Sequence, residues 1–192
     1  AALDISVTPY EGGYELRFGR VSQRRTNKEV VVRVTSTSGN QYRLIQTLLE
    51  PLTNKEGIKI PQNNFVVYGL RGTNKYGSLL EAEVPVTLGR TILYTSNQGG
   101  LSDSFTLVYG IKPDPNQAPG LYRGKISYTI EPVGSLESPV RKILNILVKI
   151  KQESKVEIKT LTGRKSILLN PTTEDKKSYD VLIRVKGSFG RQ

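Results

Sequence analysis

Glu81 and Glu83 stand two positions apart in "LEAEV" and would share one face of an extended strand. Paired carboxylates can divide acid and base roles in sugar hydrolysis. Nothing around them marks a pocket, so they are expected to be solvated charges at a strand edge. The segment "TGRKS" at 162–166 carries the closing letters of a phosphate-binding loop. It lacks the correctly spaced upstream glycine, and Arg164 separates Gly163 from Lys165. It also lies between two strand candidates instead of opening a helix, so it reads as a hairpin turn. Asn170 precedes Pro171, which removes "NPT" as a glycosylation acceptor. Asn145 interrupts the apolar run "ILNIL". A buried amide with its hydrogen bonds satisfied is the first expectation there. The second is an isopeptide crosslink to a lysine.

The chain contains no His, Cys, Met or Trp. Without His or Cys there is no Ser-His-Asp triad, no thiolate nucleophile and no zinc site of the usual nitrogen and sulfur ligands. We therefore expect no catalytic residue, no metal, no cofactor and no enzymatic activity. Net charge is +11 and unevenly spread. Residues 141–192 hold 13 basic and 5 acidic residues, net +8, whereas residues 1–140 hold 15 and 12, net +3. Lys155, Lys159, Arg164, Lys165, Lys176, Lys177, Arg184 and Lys186 are the candidates for an anionic partner. An acidic glycan is the partner envisaged, with nucleic acid disfavoured. The plainer reading is a solvated strand face that resists aggregation through its lysines. Ten Tyr and four Phe could stack bases in a basic groove. Tyr42, Tyr68, Tyr94, Tyr109 and Tyr128 sit singly in strand candidates, so cross-strand packing is the expectation.

Positioning these groups requires strands. In "LDISV" Leu3, Ile5 and Val7 share a face, in "YELRF" Leu16 and Phe18 do, and in "EVVVRVTST" Val30, Val32 and Val34 do. Further candidates are 64–70, 91–95, 104–110, 121–132 and 140–150. "YRLIQTLLE" also permits a helix ended by Pro51, but its all-β surroundings favour a strand. "TNK" recurs at 26, 53 and 73 with unequal spacing and reads as three exposed turns. Residues 69–85 are expected to form a mobile loop with a broken edge strand. The polar run "KIKQESKVEI" marks a boundary, giving a main domain over 1–150 and a basic β-extension or partial domain over 151–192. In that tail Val181, Ile183 and Val185 alternate with polar residues, and a sheet this small needs something against its apolar face. Leu3, Ile5, Val7, Val181, Ile183 and Val185 are thus the candidates for assembly strands.

Two stretches, "STSGNQYRLIQTLLEPLTNKEGIKIP" and "LSDSFTLVYGIKPDPNQAPGLYRGKISYTIEPV", with Pro115, Pro119, Gly120, Tyr122 and Gly124 at a turn, resemble bacterial extracellular immunoglobulin-like β-sandwich surface proteins. Pilin and spore-coat-U type fibre subunits are the nearest cases. The resemblance implies an all-β, immunoglobulin-like antiparallel sandwich that is secreted to the cell surface or periplasm. It also implies assembly into a homo-oligomeric pilus, fimbrium or coat, incomplete sandwiches being completed by a neighbour's donor strand. "AALDIS" is what could remain after a signal peptidase cuts behind small residues. No apolar run approaches the roughly 20 residues of a membrane helix.

Overall fold

The computed structural model describes residues 2–151. The tail candidates Val181, Ile183 and Val185, the eight tail cations and the 162–166 turn lie outside the described residues. In chain order the strands are β1 (Leu3–Pro9), β2 (Glu15–Val21), β3 (Thr26–Ser36), β4 (Tyr42–Thr53), β5 (Phe65–Gly69), β6 (Ser78–Leu79), β7 (Val84–Pro85), β8 (Thr91–Thr95), β9 (Asp103–Ile111), β10 (Gly120–Pro132) and β11 (Val140–Ile150). They form a five-stranded sheet, ordered β1-β3-β9-β5-β7, and a six-stranded sheet, ordered β2-β11-β10-β4-β8-β6. This is an all-β, immunoglobulin-like sandwich in which every pairing is antiparallel except that of β11 with β2.

Period-two alternation carries the core. Val30, Val32 and Val34 of β3 point inward against Leu144, Ile146 and Val148 of the other sheet's β11, all of them in one buried cluster. Residues 42–53 form a strand because the helical spacing of their leucines belongs to two faces. Leu44 and Leu48 enter the core. Ile45 instead faces outward, covered by its cross-strand neighbour Ile92, and Leu49 is exposed. Pro51 is accommodated where β4 and β10 lose register, between the pairs at Glu50 and Thr53, so its missing N–H breaks no regular ladder.

The tyrosines do not stand singly. The Tyr109 hydroxyl donates to Gln46 Oε1, and Tyr128 lies 2.7 Å from the Tyr109 oxygen, joining β9 of one sheet to β4 and β10 of the other. Burial pushes both phenols well above their ordinary pKa, so both stay neutral donors at any physiological pH. Tyr122 closes the turn that precedes β10, its hydroxyl donating over 2.6 Å to the carbonyl of Ala118. A tyrosine bonded to backbone a few residues upstream at this corner recurs in immunoglobulin-type sandwiches.

Asn145 differs from its expectation. It is exposed on the outer face of β11, where Ile143 is 51% exposed and Leu147 half-buried. The run "ILNIL" is apolar on both faces, and that concealed the alternation. A lysine–asparagine crosslink relies on a desolvated site, which the position does not provide.

Candidate functional site

The distinctive local feature is the passage of the first strand from one sheet to the other. β1 follows β3 as far as Pro9, and the Tyr10 N–H still reaches Glu29 O at 2.9 Å. Gly12 and Gly13 then take φ values of 92° and 83°, which residues with a Cβ rarely adopt. The chain leaves the first sheet there and resumes as β2 beside β11. β11 therefore lies between β2 and β10, and the chain itself supplies the strand at that position.

Strand exchange leaves two seven-residue strands, β1 and β2, on the same side of the sandwich, with outer edges that no other described strand pairs. The opposite edges are blunted, since β6 and β7 have two residues each. β2 is guarded by a register shift against β11 and by Gly19 at φ 69°. β1 is guarded more lightly, by the exposed Asp4 and by Pro9 at its end. Its bonding parity follows from two contacts: Tyr10 N–H to Glu29 O, and Thr37 N–H to Ala2 O at 2.8 Å. Even-numbered residues thus turn their backbone groups toward β3, and Leu3, Ile5 and Val7 turn theirs to the open edge. The side chains of Leu3 and Ile5 are buried and Val7 is half-buried against the core. Three of the sequence-derived assembly residues are thus brought together on one available edge.

Where β1 departs, an open groove of about 820 Å³ separates β2 from the start of β3. Tyr10 and Tyr14, 72% and 94% exposed, line it together with Asn27 and the ion pair of Lys28 with Glu11 at 3.1 Å. Asn27 has the parity of Glu29, so its backbone groups also face this opening.

Glu81 and Glu83 do not act together. Arg71 holds Glu81 at 3.1 Å and Arg25 holds Glu83 at 2.5 Å, as exposed ion pairs. Asp103 is the carboxylate that sequence reading overlooked. It accepts the Tyr94 hydroxyl at 2.6 Å and the N–H groups of Lys75 at 2.9 Å, Tyr76 at 2.8 Å and Gly77 at 3.3 Å. Residues 69–85, expected as a mobile loop, are thereby fastened to β9, with β6 and β7 as their short strands. Burial alone would raise the Asp103 carboxyl. The hydrogen bonds from Tyr94 and from backbone N–H groups outweigh it and hold the pKa below the ordinary value. Among the described residues no group of three or more Asp or Glu side chains could hold a metal ion. No described helix is long and apolar enough to cross a membrane.

No protein-family model and no curated protein matches the chain. Among solved structures, a family 123 glycoside hydrolase from Clostridium perfringens is similar at 14% identity and TM-score 0.45, over 82% of this chain and 28% of that one. The PapD-like domain of human CEP192 is similar at 8% identity and TM-score 0.43, over 78% and 84% of the two chains. The CssB subunit of enterotoxigenic Escherichia coli colonization factor CS6, complemented with a donor strand from CssA, is similar at 14% identity and TM-score 0.37, over 76% and 96%. A periplasmic chaperone, a tip adhesin and a major fimbrial subunit recur among the neighbours. Likeness at this level concerns the stacking of strands and carries no argument about activity or partners.

Proposed function

We propose that the chain is a secreted structural subunit of a bacterial surface filament, pilus or coat, assembling by strand addition between β-sandwiches. The observation that carries the reading is the open edge of β1. It is a seven-residue strand with inward apolar side chains and outward N–H groups at Leu3, Ile5 and Val7, guarded only by Asp4 and by Pro9 at its end. Because β11 already fills the place between β2 and β10, addition takes the form of edge-on pairing instead of insertion into a vacant groove. The basic segment 151–192 is a separate β-extension in this reading, and its strand with Val181, Ile183 and Val185 is the donor offered to a neighbouring subunit.

Sedimentation, circular dichroism and electron microscopy on the full chain and on a chain lacking residues 179–192 test this. The full chain should form polymers visible as filaments, and the truncated chain should be monomeric with its β-type spectrum retained. Polymer size unchanged by the deletion would remove the donor role of the tail. Cooperative loss of all β-structure would show instead that the tail completes its own subunit.

A further inference from the structure

The outer face of β2, β10 and β11 is basic in a pattern set by strand register. Arg17 and Arg123 flank Leu147 from opposite neighbours, and Lys149 follows Leu147 on the same side of β11. Lys125 lies one alternation beyond Arg123. Glu15 engages Arg17 at 2.9 Å and Glu50 engages Lys125 at 3.4 Å, whereas Arg123 and Lys149 have no carboxylate at any register-neighbouring position. Neighbouring strands lie about 4.8 Å apart and alternate residues about 6.7 Å apart, which sets the spacing of these cations.

A second feature adjoins this lattice. An open groove of about 650 Å³ runs beside Leu121 and Arg123 and is lined on its other side by Thr53, Asn54 and Lys55. Asn54 is buried, and its Oδ1 accepts the N–H groups of Glu56 at 3.1 Å and Ile58 at 2.8 Å. Its Nδ2 has no partner among the described residues. Glu56 also lines the groove and offsets Lys55, leaving Arg123 as the cation that links groove and face.

We propose that this groove and face bind an acidic polysaccharide, a linear chain bearing carboxylate or sulfate groups. Arg123 and Lys149 neutralise charges along the polymer, and Lys55 meets the end that enters the groove. The outward positions of the three strands carry no aromatic residue, because Phe18, Tyr122 and Tyr128 all point into the core. A face without rings offers bases nothing to stack on, and this selects a sugar polyanion over nucleic acid.

The test uses the full chain with heparin oligosaccharides, polygalacturonate and a single-stranded oligonucleotide as probes, over a salt series. Heparin or polygalacturonate should bind at low salt. The double variant Arg123→Glu with Lys149→Glu should weaken that binding at least tenfold and reduce the salt slope by about two. Lys176→Glu with Lys177→Glu should leave most of it, and circular dichroism confirms the fold of each variant. No binding of either polysaccharide at low salt would overturn the proposal. So would retention of affinity in the Arg123 and Lys149 variant, loss confined to the tail variant, or equal or tighter binding of the oligonucleotide.

Discussion

Replacing Asp103 with asparagine should lower the stability of the sandwich at pH 7 by about 3 kcal/mol, since hydrogen bonds to a charged group contribute more than neutral ones and their donors are left poorly satisfied. For a domain of this size that corresponds to a fall in melting temperature of roughly 10 °C. The carboxylate receives the Tyr94 hydroxyl and successive backbone N–H groups of the 75–77 turn, and an amide repels at least one of those donors. The effect has a definite pH dependence. In the fold these hydrogen bonds hold the carboxyl's pKa below its ordinary value, so on acidification the unfolded chain takes up the proton first. Its stabilisation is present above that value and is lost as pH falls through the folded pKa. The gap between native and Asp103→Asn melting temperatures should therefore be full at pH 7 and close in strong acid. Equal melting temperatures at pH 7, or a gap that widens in acid, would contradict the anchor.

Val7→Pro should abolish polymerisation while leaving the sandwich folded. The Val7 N–H points to the open edge of β1, so proline there removes no bond to β3, and edge strands tolerate proline at such positions. Its ring obstructs the pairing of any added strand. Thr8→Pro is the matched control. Thr8 has the parity that faces Val31 of β3, so proline there removes a ladder bond inside the subunit and should cost about 3 kcal/mol. Sedimentation and thermal melting separate the two: loss of polymer at native-like stability for Val7→Pro, loss of stability for Thr8→Pro. Polymers of unchanged size in Val7→Pro would exclude the β1 edge as the joining surface.

Most strands were legible because alternation is a local property. "LDISV" and "EVVVRVTST" fall in β1 and β3, and Leu3, Ile5, Val30, Val32 and Val34 turn inward as their alternation indicates. Legibility ends where partners are distant. "LDISV" and "YELRF" each read as a strand, and nothing local shows that the turn at Gly12 and Gly13 sends them to different sheets. The pairing of β2 with β11 joins the two ends of the domain, and no local pattern encodes it. Asp103 sits in "LSDSF", just ahead of the strand candidate 104–110, and its importance comes from donors on a loop nearly thirty residues earlier. Asn145 misled because its apolar neighbours are themselves half wet. The open edge of β1 was half legible: the sequence shows which side chains turn inward, whereas the direction of the N–H groups is fixed only by register with β3.

Residue-resolved amide hydrogen exchange on the monomer and on the assembled form tests the central claim most directly. In the monomer the N–H groups of Leu3, Ile5 and Val7 face solvent and should exchange fast, while those of Asp4, Ser6 and Thr8, turned toward β3, are protected. On assembly the account requires protection to appear at Leu3, Ile5 and Val7, with the even-numbered positions unchanged. Polymers in which these three amides still exchange as fast as in the monomer would show that subunits join elsewhere, and the strand-addition account would fall.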